Sequence, residues 1–154
     1  RIEPLRMLFK DEVRYVGETL GVPKELLNRQ PFPGAGLAVR IIGEVTEEKL
    51  ALLREADAIF RAEIVESGLD RKLGQYFVIL TDMLLPGMRA GRITQEYACA
   101  LRAIVDSDAS GVTIAKLPYD LFDRAVQQIT TQVPGINHVL YDVTGKPSAF
   151  SEWE

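Results

Sequence analysis

Apolar residues fall into periodic blocks along this chain, and prolines and glycines separate the blocks. In "KDEVRYVGETL" (10–20), Val13, Val16 and Leu20 recur at helical spacing and predict a short amphipathic helix. Gly21 is a stop signal and Pro23 opens a further turn, "PKELLN". The preceding "RIEPL" reads as extended, because Glu3 stands before a proline. From Thr46 onward, Leu50, Leu53, Ala56, Phe60 and Ile64 form the stripe of a long helix. Thr46 is suited to cap it, Glu47 and Glu48 suit its positive end, and Ser67-Gly68 ends it. Pro118 opens another helix with the stripe Leu121, Ala125, Ile129 and Val133, stopped by Pro134-Gly135.

Four stretches have strand character: "LAVRIIGEV" (37–45), "QYFVIL" (75–80), "EYACALRAIVD" (96–106) and "INHVLYDV" (136–143). In the third, Tyr97, Cys99, Leu101, Ala103 and Val105 share one face at period two. Residues 81–95, with Pro86, Gly87 and Gly91, read as a loop, "SDASG" (107–111) as a turn, and "TGKPSAFSEWE" as an extended tail. The resulting order is βαββαβ plus a tail. Two helices with one-sided stripes need one sheet to cover, so the expected fold is a two-layer α+β domain with a largely antiparallel sheet. The other face of such a sheet is free. If it carries Val39, Ile41, Tyr97, Leu101, Val139 or Tyr141, a partner subunit is its natural cover.

The stretch "RQPFPGAG" packs Pro31, Pro33, Gly34 and Gly36 ahead of the first predicted strand. Proline fixes φ and glycine permits unusual φ, so residues 30–36 read as a linker joining two bodies, 1–29 and 37–154. Gly34 and Gly36 would also let backbone N–H groups approach a phosphate. Arg29 and Arg40 flank the joint and read as surface or packing residues.

Composition narrows the function classes. The 154 residues are 47% hydrophobic and 26% charged, ordinary values for a globular protein, and the net charge is -4. An acidic balance without a basic block argues against nucleic-acid binding. No apolar run approaches the length of a membrane span, and no signal peptide is visible. Arg1 reads as a cut point, since no initiator Met precedes it. One cysteine, Cys99, excludes an internal disulfide and fits a reducing, cytoplasmic setting. Cys99 and the sole histidine, His138, lie in different predicted strands without a third member, so neither supports a nucleophilic triad. The acids Glu47, Glu48, Glu55 and Asp57, interspersed with Lys49 and Arg54, read as a solvated helix face, so no metal site is expected.

Longer motifs carry a resemblance. "LFKDEVR", "NRQPFPGAGLAVRIIGEVTEEKL", "LREADAIF", "ALRAI", "LPYDLFDR" and "VPGINHVLYDVTGKPSAFSEWE" together resemble the C-terminal part of the glutamine-hydrolysing GMP synthetases, across essentially the whole chain. The resemblance implies that 1–29 is the end of an ATP pyrophosphatase domain and 37–154 a dimerisation domain that helps bind XMP. It places glutaminase and adenylation chemistry, with ATP and Mg²⁺, in domains outside this chain. No catalytic residue and no cofactor is expected within the chain itself. A homodimer, XMP and those missing domains are the implied partners.

The tail is the site the resemblance points to. The family pattern resembles Lys-Pro-Pro-Ala-Thr-Ile-Glu-Trp-Glu, and here it reads Lys146, Pro147, Ser148, Ala149, Phe150, Ser151, Glu152, Trp153, Glu154. By that resemblance Lys146 would donate to the XMP phosphate, Glu152 would accept from the ribose or hold Lys146, and Ser151 would return a hydroxyl lost where Phe150 replaces Thr. In "LLPGMRAGRIT" (84–94) the family resembles Arg-Ser-Val-Gly-Val-Met-Gly-Asp-Gly-Arg-Thr. This chain keeps Gly87, Thr94 and a nearby Arg92 but lacks the Asp, and Leu84 stands where a basic residue is usual. Arg89 or Arg92 is therefore a candidate for the nucleotide. The competing reading is a non-catalytic dimer module of the same descent, because the departures cluster at ligand-facing motifs.

Overall fold

In a computed structural model, residues 2–27, 36–106, 112–145 and 153 are described. Contacts divide the chain into two compact units, Arg1–Phe32 and Pro33–Glu154.

The first unit is helical. Helix α1 (Lys10–Thr19) begins where Glu12 Oε2 accepts the Phe9 N–H at 2.8 Å, half of a capping box. It ends at Gly21, whose φ of +78° suits glycine. Pro23 then opens α2 (Lys24–Leu27). Gly17 has a packing reason: a Cβ there would lie 2.5 Å from Leu27 Cδ2. Of the three residues expected on the buried face of α1, Leu20 is exposed. The extended reading of the first residues also changes, because 4–7 form turns closed by Leu8 N–H to Leu5 O at 3.0 Å.

The second unit is the expected two-layer α+β domain. Its helices are α3 (Glu47–Glu66) and α4 (Tyr119–Gln132). Its sheet holds β1 (Gln75–Arg89), β2 (Arg92–Asp106), β3 (Val112–Ile114) and β4 (Ile136–Tyr141). Strand β2 is the centre: antiparallel to β1 and β3, parallel to β4. Both helices pack on one face. Leu53, Ala56, Phe60 and Ile64 of α3 meet Leu121, Ala125, Ile129 and Val133 over Tyr76, Val78, Leu80, Cys99, Leu101 and Ala103. The caps follow the chemistry: Thr46 Oγ1 accepts Lys49 N–H at 3.2 Å, and Gly68, at φ +66°, follows the Ser67 C-cap.

Two expectations about the strands change. The first predicted strand is instead a 3₁₀ turn, Leu37–Arg40, after which Ile41 makes an isolated parallel bridge to Leu80. The turn lets Leu37 and Ile41 reach the core while Val39 is exposed, where alternation along a strand would put all three on one face. The supposed loop 81–95 is strand: β1 and β2 run on as a long hairpin that turns at Ala90-Gly91, with φ of +50° and +76°. Two residues of positive φ between paired Arg89 and Arg92 define a tight primed turn, which matches the sheet's twist. Pro86 is tolerated because β1 is an edge strand, so the lost donor costs no ladder bond on its outer side. A register shift between Leu80 and Leu84 bends β1 midway.

The residues expected on the sheet's free face are also re-sided. Ile41, Tyr97, Leu101, Val139 and Tyr141 belong to the helix-covered core. The opposite face carries Phe77, Ile79, Ala100 and Ile104, with Ile42 and Ile114 packed on them, and these four are themselves buried.

Candidate functional site

Charged side chains inside the second unit are held by specific partners. Asp57, expected on a solvated helix face, is buried. Its Oδ1 accepts the Val78 N–H at 3.0 Å and its Oδ2 accepts Arg61 Nε. Arg40 Nη1 lies 4.0 Å from Asp57, and the Arg40 guanidinium stacks 3.9 Å above the Phe77 ring. Glu63 is likewise buried, and it joins the helices by accepting from Arg124 Nε at 2.7 Å and from Gln128 Nε2.

The hairpin arm brings Arg89 and Arg92 together at its tip but gives them different surroundings. Arg89 points inward: its Nε and Nη2 donate to the two carboxylate oxygens of Glu96 at 2.8 and 3.0 Å. Its Nη1 donates to Thr130 O at 3.0 Å and its Nη2 also to Ile136 O at 3.2 Å. The guanidinium thus ties the hairpin to the end of α4 and the start of β4. The hydrogen bond to Glu96 raises the Arg89 pKa further and lowers that of Glu96. Arg92 is exposed beside the turn. Gly87 faces Thr94 across the ladder, and a Cβ on Gly87 would lie 2.5 Å from Asn137 Nδ2, which donates to Leu85 O at 2.7 Å. A side chain there would displace the contact that pins the hairpin to β4.

A second cluster lies at the end of β4. Arg102, fully buried in β2, donates through Nη1 to Asp142 Oδ2 and through Nη2 to Thr144 O at 3.0 Å. Asp142 Oδ1 accepts the Thr144 N–H at 2.8 Å. Asp142 Oδ2 also accepts the indole Nε1–H of Trp153 at 2.8 Å. Sequence reasoning assigned no role to Arg102, Asp142 or Trp153. A signal was there: Arg102 is a charge within the apolar run of "ACALRAIV", where a strand side chain survives only with a partner.

Of the residues proposed from sequence, Lys146, Ser151, Glu152 and Gly34 lie outside the described residues. Gly36 is exposed, with φ +152°, directly before the 3₁₀ turn. Cys99 is buried, and desolvation pushes its thiol up to about 12, unsuited to a nucleophile. His138 is exposed on β4 and its Nδ1 lies 2.8 Å from Asn137 Oδ1. Among the described residues no group of three or more His, Cys, Asp and Glu side chains is placed to hold a metal ion. No described helix is long and apolar enough to cross a membrane.

The second unit is thus a two-layer α+β domain with a long hairpin, cross-tied by buried ion pairs and without a nucleophilic or metal constellation among its described residues. Comparison with known proteins specifies it further. A family model described as the GMP synthase C terminal domain matches residues 62–153, and the chain belongs to that family. It is 54% identical over 153 residues to a glutamine-hydrolyzing GMP synthase of Caldicellulosiruptor saccharolyticus. It is 53% identical to one of Clostridium botulinum and 52% to one of Acetivibrio thermocellus, again over 153 residues. Each match covers 99% of this chain, which spans 30% of the length of the relatives.

Proposed function

We propose that this chain is the C-terminal part of a glutamine-hydrolysing GMP synthase, a ligase of purine biosynthesis that aminates XMP to GMP with ATP. The observation that carries the reading is the match along 99% of the chain to enzymes of that name. On this reading the chain positions the nucleotide while ATP with Mg²⁺, and ammonia, are handled in domains beyond it. Alone it neither hydrolyses glutamine nor adenylates XMP, and the enzyme works in the cytoplasm.

Lys146 is the proposed phosphate donor, with Glu152 and Ser151 beside it in sequence. Arg92 is the better hairpin candidate for the nucleotide, since the donors of Arg89 already serve Glu96, Thr130 and Ile136. Approach of a phosphate to Gly34 and Gly36 remains part of the proposal. The proposed assembly is a homodimer. The second sheet face is covered at Phe77, Ile79, Ala100 and Ile104, so support for a dimer comes from the hairpin, where Leu84, Met88 and Ile93 are exposed.

The test is steady-state kinetics on the full-length enzyme. Lys146→Ala should raise the KM for XMP about tenfold or more, the loss of one charge-assisted hydrogen bond. An unchanged KM removes Lys146 from the site. The second reading, a dimer module without XMP, is favoured if the full-length protein shows no XMP-dependent turnover.

A further inference from the structure

The hairpin runs on past the rest of the sheet. Strand β4 accompanies β2 only over residues 97–101. Among the described residues, the pairs from Leu85 with Glu96 to Arg89 with Arg92 have no third strand beside them. A two-stranded ribbon is at best marginally stable by itself in water. This one is fastened at two places to the corner between α4 and β4. Near its tip, Arg89 reaches from Glu96 on the opposite strand to the carbonyls of Thr130 and Ile136, bonds that cross 41 and 47 positions of chain. Nearer its base, Asn137 Nδ2 donates to Leu85 O at 2.7 Å, and Gly87 leaves the room that this amide occupies. The Arg89–Glu96 contact is bidentate and charge-assisted, the stronger kind of hydrogen bond.

Arg92 stands directly across the ladder from Arg89. Like charges so placed repel each other, and Glu96 offsets this by pairing with Arg89. We propose that Arg89, Glu96 and Asn137 form a clamp that holds the hairpin tip in place and so positions Arg92 for the nucleotide. This rests on the reading of Arg92 as a nucleotide contact. The turn between the two arginines, Ala90-Gly91, has no spare residue, so fixing Arg89 fixes the backbone of Arg92. An unfastened arm would lose its freedom of movement when XMP binds. A clamped arm has lost that freedom on folding, so binding costs less. Arg89, Glu96 and Asn137 are therefore positioning residues: they act through the arm that carries Arg92.

The experiment is XMP-saturation kinetics on the full-length synthase. Arg89→Met combined with Glu96→Gln removes the ion pair without changing the net charge, and Asn137→Ala removes one neutral hydrogen bond. Each is made with Arg92 intact and again with Arg92→Ala. Arg92→Ala alone should raise the KM for XMP about tenfold, the loss of a charge-assisted hydrogen bond. The paired replacement should raise it about three- to tenfold and Asn137→Ala about two- to threefold, while the KM for ATP holds. With Arg92→Ala present neither should raise it further, because all act through one side chain. A raised KM in Arg92→Ala with unchanged values in both clamp variants overturns the clamp and leaves the Arg92 reading standing. An unchanged KM in Arg92→Ala overturns that reading and the clamp with it. A clamp variant that raises the KM equally with and without Arg92 acts on the fold at large, and that too overturns the proposal. If the paired replacement does not fold, Asn137→Ala decides by the same outcomes.

Discussion

Arg89 and Glu96 are the pair on which acid stability of the hairpin depends. The hydrogen bond from Arg89 is the main cause that holds the Glu96 carboxyl below its usual range, with burial acting in the opposite direction. A folded pKa below the unfolded one means that the bond contributes fully above the unfolded carboxylate value, about 4. The contribution is lost as pH falls through the folded value. Glu96→Gln should therefore lower the melting temperature near neutrality, and the gap to wild type should hold down to about pH 5 and narrow as pH falls from about 4 toward about 2. A gap that is constant across that range removes the ion pair from the explanation. Arg89 also shows the limit of reading single residues from sequence. "MRAGRIT" offers two arginines near one turn, and only the pairing of β1 with β2 separates the inward Arg89 from the exposed Arg92.

Within the elements, the turn of the hairpin carries avoidable strain. Ala90 adopts φ +50°, where a Cβ crowds the backbone and Asn or Gly is preferred. Ala90→Asn should stabilise the protein by about 0.5–1 kcal/mol, read from chemical denaturation midpoints. A neutral or negative effect would mean that Ala90 is held by contacts other than turn geometry. The same turn explains why the hairpin was illegible. Ala-Gly lacks the Asn-Gly signature, and Pro86 argues against a strand until β1 is known to lie at an edge. Helices were legible because their stripes repeat: Leu121, Ala125, Ile129 and Val133 are all fully buried as spaced. "LAVRIIGEV" reads equally as strand or tight turn because either brings Leu37 and Ile41 to one core, and only the exposure of Val39 separates the two. Asp57 misled because its acceptor role depends on Val78 of a strand far along the chain, which helix spacing cannot reveal.

Across the whole molecule, the layer architecture followed from counting one-sided helices, but the sides of the sheet did not. Which face of β2 meets the helices is settled by packing of Cys99, Leu101 and Ala103 under α3 and α4, and alternation alone permits either answer. The Arg102–Asp142 pair escaped sequence reading for a similar reason: the two are forty positions apart and meet only once β4 has paired with β2. For the proposed homodimer, sedimentation of the full-length protein at several concentrations should give twice the subunit mass. Replacing Met88 and Ile93 by Ser should shift it toward the subunit mass if the exposed apolar residues of the hairpin are the contact. A monomer at every concentration overturns the dimer.

The proposed role, holding XMP for a synthase, is tested most directly by calorimetric titration of XMP into the full-length protein. Saturable binding that weakens about tenfold or more in Lys146→Ala is the predicted result. An absence of binding in the wild-type protein, or an affinity indifferent to Lys146→Ala, would contradict it.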